Sequence, residues 1–118
     1  MDANEYQLLA GRTLIDGPDA TYTDLETMLV WNALGLAGEA GEVADTIKKA
    51  VFHRHPLDRV ELVKELGDVL WYVAALCTKL EIPLENVMIL NIQKLRKRYP
   101  DGYSSEASLK RDDPSKSE

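Results

Sequence analysis

Two short acidic strings could carry chemistry in this sequence. EAGE begins at Glu39 and ELGD begins at Glu65, and in each string two carboxylates stand three positions apart with a glycine between them. Side chains at i and i+3 of a helix are surface neighbours, so Glu39 with Glu42 and Glu65 with Asp68 each form a pair. One such pair is ordinarily a solvated helix surface. Two matched pairs indicate that these residues, which we call the four acids, share a site.

Four carboxylates in one crevice repel one another unless something neutralises them. A hard divalent cation with oxygen ligands, Mg²⁺ or Mn²⁺, is the simplest remedy, and protonation through raised pKa values is the alternative. A di-iron carboxylate centre is disfavoured because that class needs Glu-x-x-His pairs. The two histidines, His53 and His55, instead fall in a predicted interhelical segment beside Pro56.

A second cluster combines an amide with two cations. Asn91, Lys94 and Arg98 lie on one face of a later predicted helix, and we call them the Asn-Lys-Arg triad. They form either an anion site, with the arginine fork and the lysine charge on phosphate oxygens, or a core asparagine followed by basic residues that the helix dipole favours. An acidic crevice with a separate basic strip suits a metal–polyphosphate complex, because the cation bridges carboxylates and phosphates.

Three further side chains are candidates for substrate binding. Trp31 lies on the side of its predicted helix that carries Glu42, and it either stacks on a nucleobase or is a core tryptophan. Lys49, two turns after Glu42, either reaches phosphate or pairs with Asp45. Tyr72 shares the acidic stripe of the next predicted helix and is expected to line the same crevice.

The elements that must position these residues are predicted to be helices. The hydrophobic pattern is helical almost throughout, and no stretch alternates convincingly as a strand does. The predicted elements are a short helix over 4–15, a loop over 16–23, and long helices over 25–52, 60–80 and 84–99. The fold class is therefore all-α, a helical bundle of three main helices plus a short N-terminal helix. Antiparallel packing of the second and third helices brings the two acid pairs level.

Capping signals set the predicted helix ends. Thr23 with Glu26 has the spacing of a capping box at the start of the second helix, and Asp58 with Glu61 repeats that spacing at the third. Pro83 stands where a first-turn proline opens the fourth helix. The second and third helices carry more apolar surface than one small bundle covers. We therefore expect the chain to oligomerise, at least to a dimer.

The composition limits the broad function classes. The 118 residues suffice for one domain, predicted over 1–103, followed by a polar tail over 104–118 that we expect to be flexible. A formal net charge of −6 argues against general binding to duplex nucleic acid. No uncharged stretch is long enough to span a bilayer, and the start of the sequence lacks the order of a signal peptide. With one cysteine, Cys77, we expect a cytoplasmic location and no membrane partner.

Three strings together resemble one known family. GLAGEAGEVADTIKK, ELGDVLWYVAAL and NIQKLRKRYPDGY are similar to the motifs of the MazG-like nucleoside triphosphate pyrophosphohydrolases, whose signature is Glu-x-x-Glu, a gap, and then Glu-x-x-Asp. The resemblance covers about residues 25–103, and the opening NEYQLLAGRT also resembles the first helix of the family. Tyr103 stands where the family often has phenylalanine, which is a mild departure.

The resemblance implies a chemistry and a division of roles. It implies an all-α fold assembled as a homodimer or homotetramer, with Mg²⁺-dependent cleavage of a nucleoside triphosphate to the monophosphate and pyrophosphate. By the same resemblance the four acids are the expected metal ligands, either Glu39 or Glu42 is the expected general base, and the Asn-Lys-Arg triad is expected to contact phosphate. The alternatives are a relative specific for phosphoribosyl-ATP or for dUTP and dCTP, or a non-catalytic helical module for oligomerisation or regulation.

Overall fold

Helices account for almost all of the regular structure in the computed structural model, which describes residues 1–14 and 24–110. They are α1 (Ala3–Gly11), α2 (Leu25–Phe52), α3 (Arg59–Lys79), α4 (Leu84–Arg98) and α5 (Ser105–Lys110). The predicted all-α class is confirmed. Within the described ranges, no helix is long and apolar enough to cross a membrane.

The start of α2 shows how a neighbouring residue can take over a predicted cap. The Asp24 carboxylate accepts a hydrogen bond of 2.9 Å from the backbone N–H of Thr27, so Asp24 is the N-cap. The predicted capping box at Thr23 is therefore wrong. Aspartate caps a helix as well as threonine does, and Asp24 directly precedes Leu25, the first residue of α2. Thr23 itself and the predicted loop over 16–23 lie outside the described residues.

The ends of α3 are set by local contacts. The Asp58 carboxylate accepts hydrogen bonds of 3.1 Å from the backbone N–H groups of Val60 and Glu61, which confirms the predicted cap. At the other end Glu81 has a φ of 56°, in the left-handed region. This turn lets the Ile82 N–H reach the Cys77 carbonyl at 2.8 Å and closes the last turn of the helix.

A small core joins α1 to the second half of α3. Its buried residues are Ala74, Cys77 and Leu84. The partly buried side chains packed against it are Ala3, Tyr6, Ala10 and Val73. Burial in this cluster raises the pKa of the Cys77 thiol, so Cys77 behaves as a packing residue.

Hydrogen bonds fix α1 against this core. The Leu84 backbone N–H donates to Gln7 Oε1 at 2.7 Å. The Trp71 indole N–H donates to Thr13 Oγ1 at 2.8 Å and to the Ala10 carbonyl at 3.2 Å. These bonds tie the middle of α1 and its C-terminal end to residues distant in sequence, and α1 is shorter than the helix predicted over 4–15.

The pair formed by α2 and α3 is antiparallel, as predicted. Two contacts between these helices establish the direction. Thr46 near the end of α2 meets Glu65 early in α3, and Gly35 near the start of α2 meets Tyr72 later in α3. A methyl group placed on Gly35 would overlap the Tyr72 ring, so the ring lies directly over the glycine.

The contact pattern divides the chain into two units, Met1–Leu84 and Glu85–Glu118. The second contains an element that the sequence pattern did not predict, since α5 falls in the segment expected to be flexible. The backbone N–H of Ala107 in its first turn donates to Oγ of Ser104, the residue before the helix, at 3.0 Å, and Lys110 pairs with Glu106 at 3.1 Å. The single domain over 1–103 and the flexibility of the remaining tail stay predictions.

Candidate functional site

The first acid of EAGE and the second acid of ELGD lie at one level of the α2–α3 pair. Glu39 follows Gly35 by four residues on α2, and Asp68 precedes Tyr72 by four residues on α3. Gly35 contacts Tyr72, and the helices run in opposite directions. Glu39 and Asp68 each lie about one turn from this contact, and on the same side of it. They therefore lie at similar heights along the two helices.

A second contact places the other two acids within about one turn of each other. Thr46 Oγ1 lies 3.0 and 2.9 Å from the two carboxylate oxygens of Glu65. Glu42 is four residues before Thr46, about one turn along α2. All four acids thus lie within about two turns along the facing helices.

The four acids differ in exposure, and their side chains are not gathered around one point. Glu39 and Glu65 are half-buried, whereas Glu42 and Asp68 are exposed. Among residues 1–14 and 24–110, no three carboxylate, imidazole or thiol groups are grouped closely enough to hold a metal ion. The fit to Mg²⁺ therefore rests on the hard oxygen donors and on the helix register. The role of the four acids as metal ligands stays a prediction.

The lysines after EAGE are engaged by a neighbouring acid. Lys49 Nζ lies 2.9 Å and Lys48 Nζ 3.3 Å from carboxylate oxygens of Asp45. The hydrogen bonds from Lys49 and Lys48 lower the pKa of Asp45. The hydrogen bond and the charge of Asp45, and to a smaller extent the charge of Glu42, raise the pKa of Lys49. Lys49 therefore pairs with Asp45, as the alternative to phosphate binding predicted. It also lies close enough to Glu42 for the charge of that carboxylate to raise its pKa.

Tyr6 and Thr46 are two residues near the acids that sequence reasoning missed. Burial, and then the negative charge of Asp68, raise the pKa of Tyr6, so α1 brings this phenol near the acidic strings. Nothing local marks Tyr6, because its position depends on α1 packing against α3. Thr46 did carry a signal, since it follows Glu42 by four positions on the same helix face.

The two aromatic candidates have different surroundings. Trp31 is 43% exposed, which excludes the alternative that it is a core tryptophan within this chain. Tyr72 is half-buried between Gly35 and Trp71, with its ring edge-on to the Trp71 ring at a centroid distance of 5.0 Å. Contact of Trp31 or Tyr72 with a substrate stays a prediction.

The Asn-Lys-Arg triad lies on α4, in the second unit. Asn91 and Lys94 are exposed, so the alternative of a core asparagine is wrong for this chain. The sequence had left this alternative open because Asn91 stands among apolar positions, most of which are also exposed. Arg98 is half-buried, and its guanidinium carbon lies 6.0 Å from the centroid of the Tyr99 ring. Phosphate binding by the triad stays a prediction.

Comparison with known proteins identifies the family. The model of the MazG nucleotide pyrophosphohydrolase domain matches residues 30–103, a range that contains the four acids and the Asn-Lys-Arg triad. The chain is also 38% identical over 106 residues to the Gene 37 protein of Mycobacterium phage L5, across 86% of this chain and 92% of that relative. No solved structure matches the chain. Because this model matches more than half of the chain, the chain belongs to the MazG nucleotide pyrophosphohydrolase family.

Proposed function

We propose that this chain hydrolyses nucleoside triphosphates to nucleoside monophosphates and pyrophosphate with Mg²⁺, and that Mn²⁺ is a second candidate ion. The observation that carries the proposal is that two contacts between α2 and α3 place the four acids within about two turns of one another on facing helices. Membership of the MazG family supports the class of reaction. Deoxynucleoside triphosphates and non-canonical nucleoside triphosphates are the proposed substrates.

The proposed roles of the acids follow from their chemistry. Their carboxylate oxygens are the ligands that Mg²⁺ prefers. A bound cation supplies charge neutralisation at the phosphates and a more acidic water. Glu39 and Glu42 are the two candidates for the base that accepts the proton of that attacking water, since each is a carboxylate with some solvent access.

The proposed substrate contacts come from cations and aromatic rings. Asn91 would donate to phosphate oxygens, Lys94 would supply a point charge, and Arg98 would bind two oxygens with its fork. Lys49 could add a charge if phosphate displaced it from Asp45. Trp31 and Tyr72 are proposed to line the pocket of the base. A cytoplasmic location and the lack of duplex nucleic acid and membrane partners also stay predictions.

The test of this function is a substrate panel in the presence of Mg²⁺. With canonical and modified deoxynucleoside triphosphates, we expect release of nucleoside monophosphate and pyrophosphate without orthophosphate, because the proposed cut lies between the α- and β-phosphates. An assay that reports both phosphate products fixes the cleaved bond. Phosphoribosyl-ATP, dUTP and dCTP in the same panel separate the narrower alternatives. No turnover, together with no Mg²⁺ binding in calorimetry, would contradict the proposal and favour a non-catalytic helical module.

The apolar surface of α2 supports a proposed homodimer, or a homotetramer built from dimers. Positions spaced alternately by four and three residues form one exposed stripe, the α2 seam: Val30, Leu34, Ala37, Gly41, Ala44, Lys48 and Val51. Lys48 is its one charged residue, lies near its end and pairs with Asp45. This is the spacing by which helices pack against one another, and the small residues at its centre allow close approach. The seam is exposed in the single chain, with Val30 58% and Leu34 68% accessible. We propose that a second copy of this chain covers it.

Placing a charge in the seam should break the proposed assembly. Wild-type protein is expected to have at least twice the monomer mass in size-exclusion chromatography with light scattering. Leu34→Glu is expected to lower that mass to the monomer value, because a buried carboxylate without a partner is costly. Leu8→Glu is the matched control, since Leu8 is 74% exposed on α1 and lies outside the seam. A wild-type monomer, or an unchanged mass for Leu34→Glu, would refute this use of the seam.

A further inference from the structure

The hydroxyl group of Thr46 is centred on the carboxylate of Glu65. Oγ1 of Thr46 lies 3.0 Å from Oε1 and 2.9 Å from Oε2 of Glu65, and both side chains are partly buried between α2 and α3. A hydroxyl has one hydrogen, so it donates to one oxygen at a time and can alternate between the two. The nearly equal distances therefore fix the direction of the whole carboxylate group.

This bond joins the two halves of the acidic cluster. Thr46 stands four residues after Glu42 on α2, whereas Glu65 belongs to α3. The bond therefore holds an acid of α3 against the helix that carries the acids of EAGE. Without it, a glutamate side chain on a half-exposed helix surface can turn toward water, because its long side chain has several rotamers.

The remaining acceptor capacity of Glu65 is compatible with a second partner. A carboxylate offers about four lone-pair sites, and one hydroxyl hydrogen occupies one of them. The Thr46 bond thus orients Glu65 without using up its oxygens. Hydrogen bonds of this kind behind a metal ligand commonly strengthen metal binding, and their removal costs about 10- to 100-fold in affinity.

We propose that Thr46 is a positioning residue, which holds the Glu65 carboxylate in the α2–α3 crevice in the orientation that cation binding uses. This inference rests on the proposed function, because it takes Glu65 as a metal ligand. It adds to the four acids a neutral residue, Thr46 of α2, which faces Glu65 of α3. Thr46 would act only through Glu65 and would not touch the substrate.

The test measures Mn²⁺ binding to the full chain by the loss of the free-ion electron paramagnetic resonance signal. Thr46→Val keeps the shape and removes the hydroxyl, and it is expected to weaken Mn²⁺ binding about 10-fold. Thr46→Ser keeps the hydroxyl and is expected to bind Mn²⁺ nearly as wild type does. Thr27→Val makes the same chemical change at the start of the same helix, and its affinity is expected to be unchanged.

Glu65→Gln separates failure of this inference from failure of the proposed function. If Glu65→Gln weakens Mn²⁺ binding and Thr46→Val does not, Glu65 remains a ligand and the positioning role is overturned. If Thr46→Val strengthens binding, the hydroxyl competes with the ion, and the inference is again overturned. If Glu65→Gln has no effect, both the metal site and the positioning role fail.

A second measurement needs no metal. In a double-mutant cycle of Thr46→Val and Glu65→Ala, the second substitution is expected to shift the thermal midpoint less than it does alone, since one removes the donor and the other the acceptor of the same bond. Additive shifts would show that the bond is not formed in solution and would overturn the inference. Thr46→Ser should again behave as wild type does, even if Thr46→Val lowers the yield of folded protein.

Discussion

Glu42→Gln and Asp68→Asn are each expected to lower kcat/KM for pyrophosphate release by at least about 100-fold. Each substitution keeps the shape of the side chain and removes one negative charge from the four acids. A neutral amide is a weaker ligand for a hard cation than a carboxylate is. The measurement is the steady-state rate with the best substrate of the panel, over a range of Mg²⁺ concentrations.

The matched control is another acid of the same helix. Glu61 lies one turn before Glu65 on α3, is exposed, and pairs with Lys64 at 3.1 Å. Glu61→Gln makes the same chemical change as Glu42→Gln, and we expect kcat/KM within about twofold of wild type, because exposed ion pairs contribute little. Loss of activity in Glu61→Gln equal to that in Glu42→Gln would point to general electrostatics and away from a specific site.

The stability of these variants distinguishes a lost ligand from a lost fold. Removing one of several like charges should leave the thermal midpoint without metal unchanged or slightly higher, because repulsion falls. In the presence of Mg²⁺ the wild type should gain more stability than either variant, since a ligand that binds the folded state raises its stability. Wild-type activity in Glu42→Gln or Asp68→Asn would contradict the assignment of the substituted acid as a metal ligand.

The parts of the fold that the sequence predicted are those with local causes. The bounds of α2 were predicted because the hydrophobic pattern and the breaker string after Phe52 mark them. Asp58 was predicted as a cap because its contacts lie within three residues. The α5 helix was missed because its stretch has one leucine and little apolar periodicity, and the hydroxyl of Ser104 and a lysine–glutamate pair support it instead.

The parts of the site that the sequence did not predict depend on packing between distant segments. The four acids could be found from i, i+3 spacing within each helix. Tyr6 could not, because its approach to Asp68 requires α1 to lie across α3. The hydrophobic periodicity of α4 could not decide whether Asn91 is buried. It marks which side chains share a helix face and leaves open whether that face is covered. The exposure of Asn91 therefore removes the core alternative that the sequence had left open.

The interior glycines of α2 look alike in the sequence, and the structure separates them. A methyl group at Gly35 would overlap the Tyr72 ring, whereas a methyl group at Gly38 or Gly41 would meet nothing within 4 Å among the residues that the structure describes. Each glycine costs about 1 kcal/mol of helix stability relative to alanine. Within residues 1–14 and 24–110, only Gly35 has a contact that accounts for that cost.

Gly35→Ala and Gly38→Ala are therefore expected to change stability in opposite directions. Gly38→Ala should raise the free energy of unfolding by about 0.5–1 kcal/mol, because alanine restricts the unfolded chain and favours the helix. Gly35→Ala gains the same helix preference but forces the Tyr72 ring to move, and overpacking of this kind costs about 1–3 kcal/mol. The ring cannot turn away freely, since the Trp71 ring stands edge-on beside it. The measurement is urea unfolding at one fixed protein concentration, because an oligomer couples stability to concentration.

Repeating Gly35→Ala in Tyr72→Ala protein tests whether the Tyr72 ring causes the loss of stability. In Tyr72→Ala protein the ring is absent, so Gly35→Ala has no partner to displace and should become stabilising, as Gly38→Ala is in wild type. The sign of one substitution would then reverse with the presence of one ring, which general helix propensity cannot produce. If Gly35→Ala is destabilising in both backgrounds, the glycine is required for some contact other than Tyr72. If it is stabilising in both, the ring does not hold α2 and α3 at this distance, and the register that places the four acids within about two turns of one another loses one of its two supporting contacts.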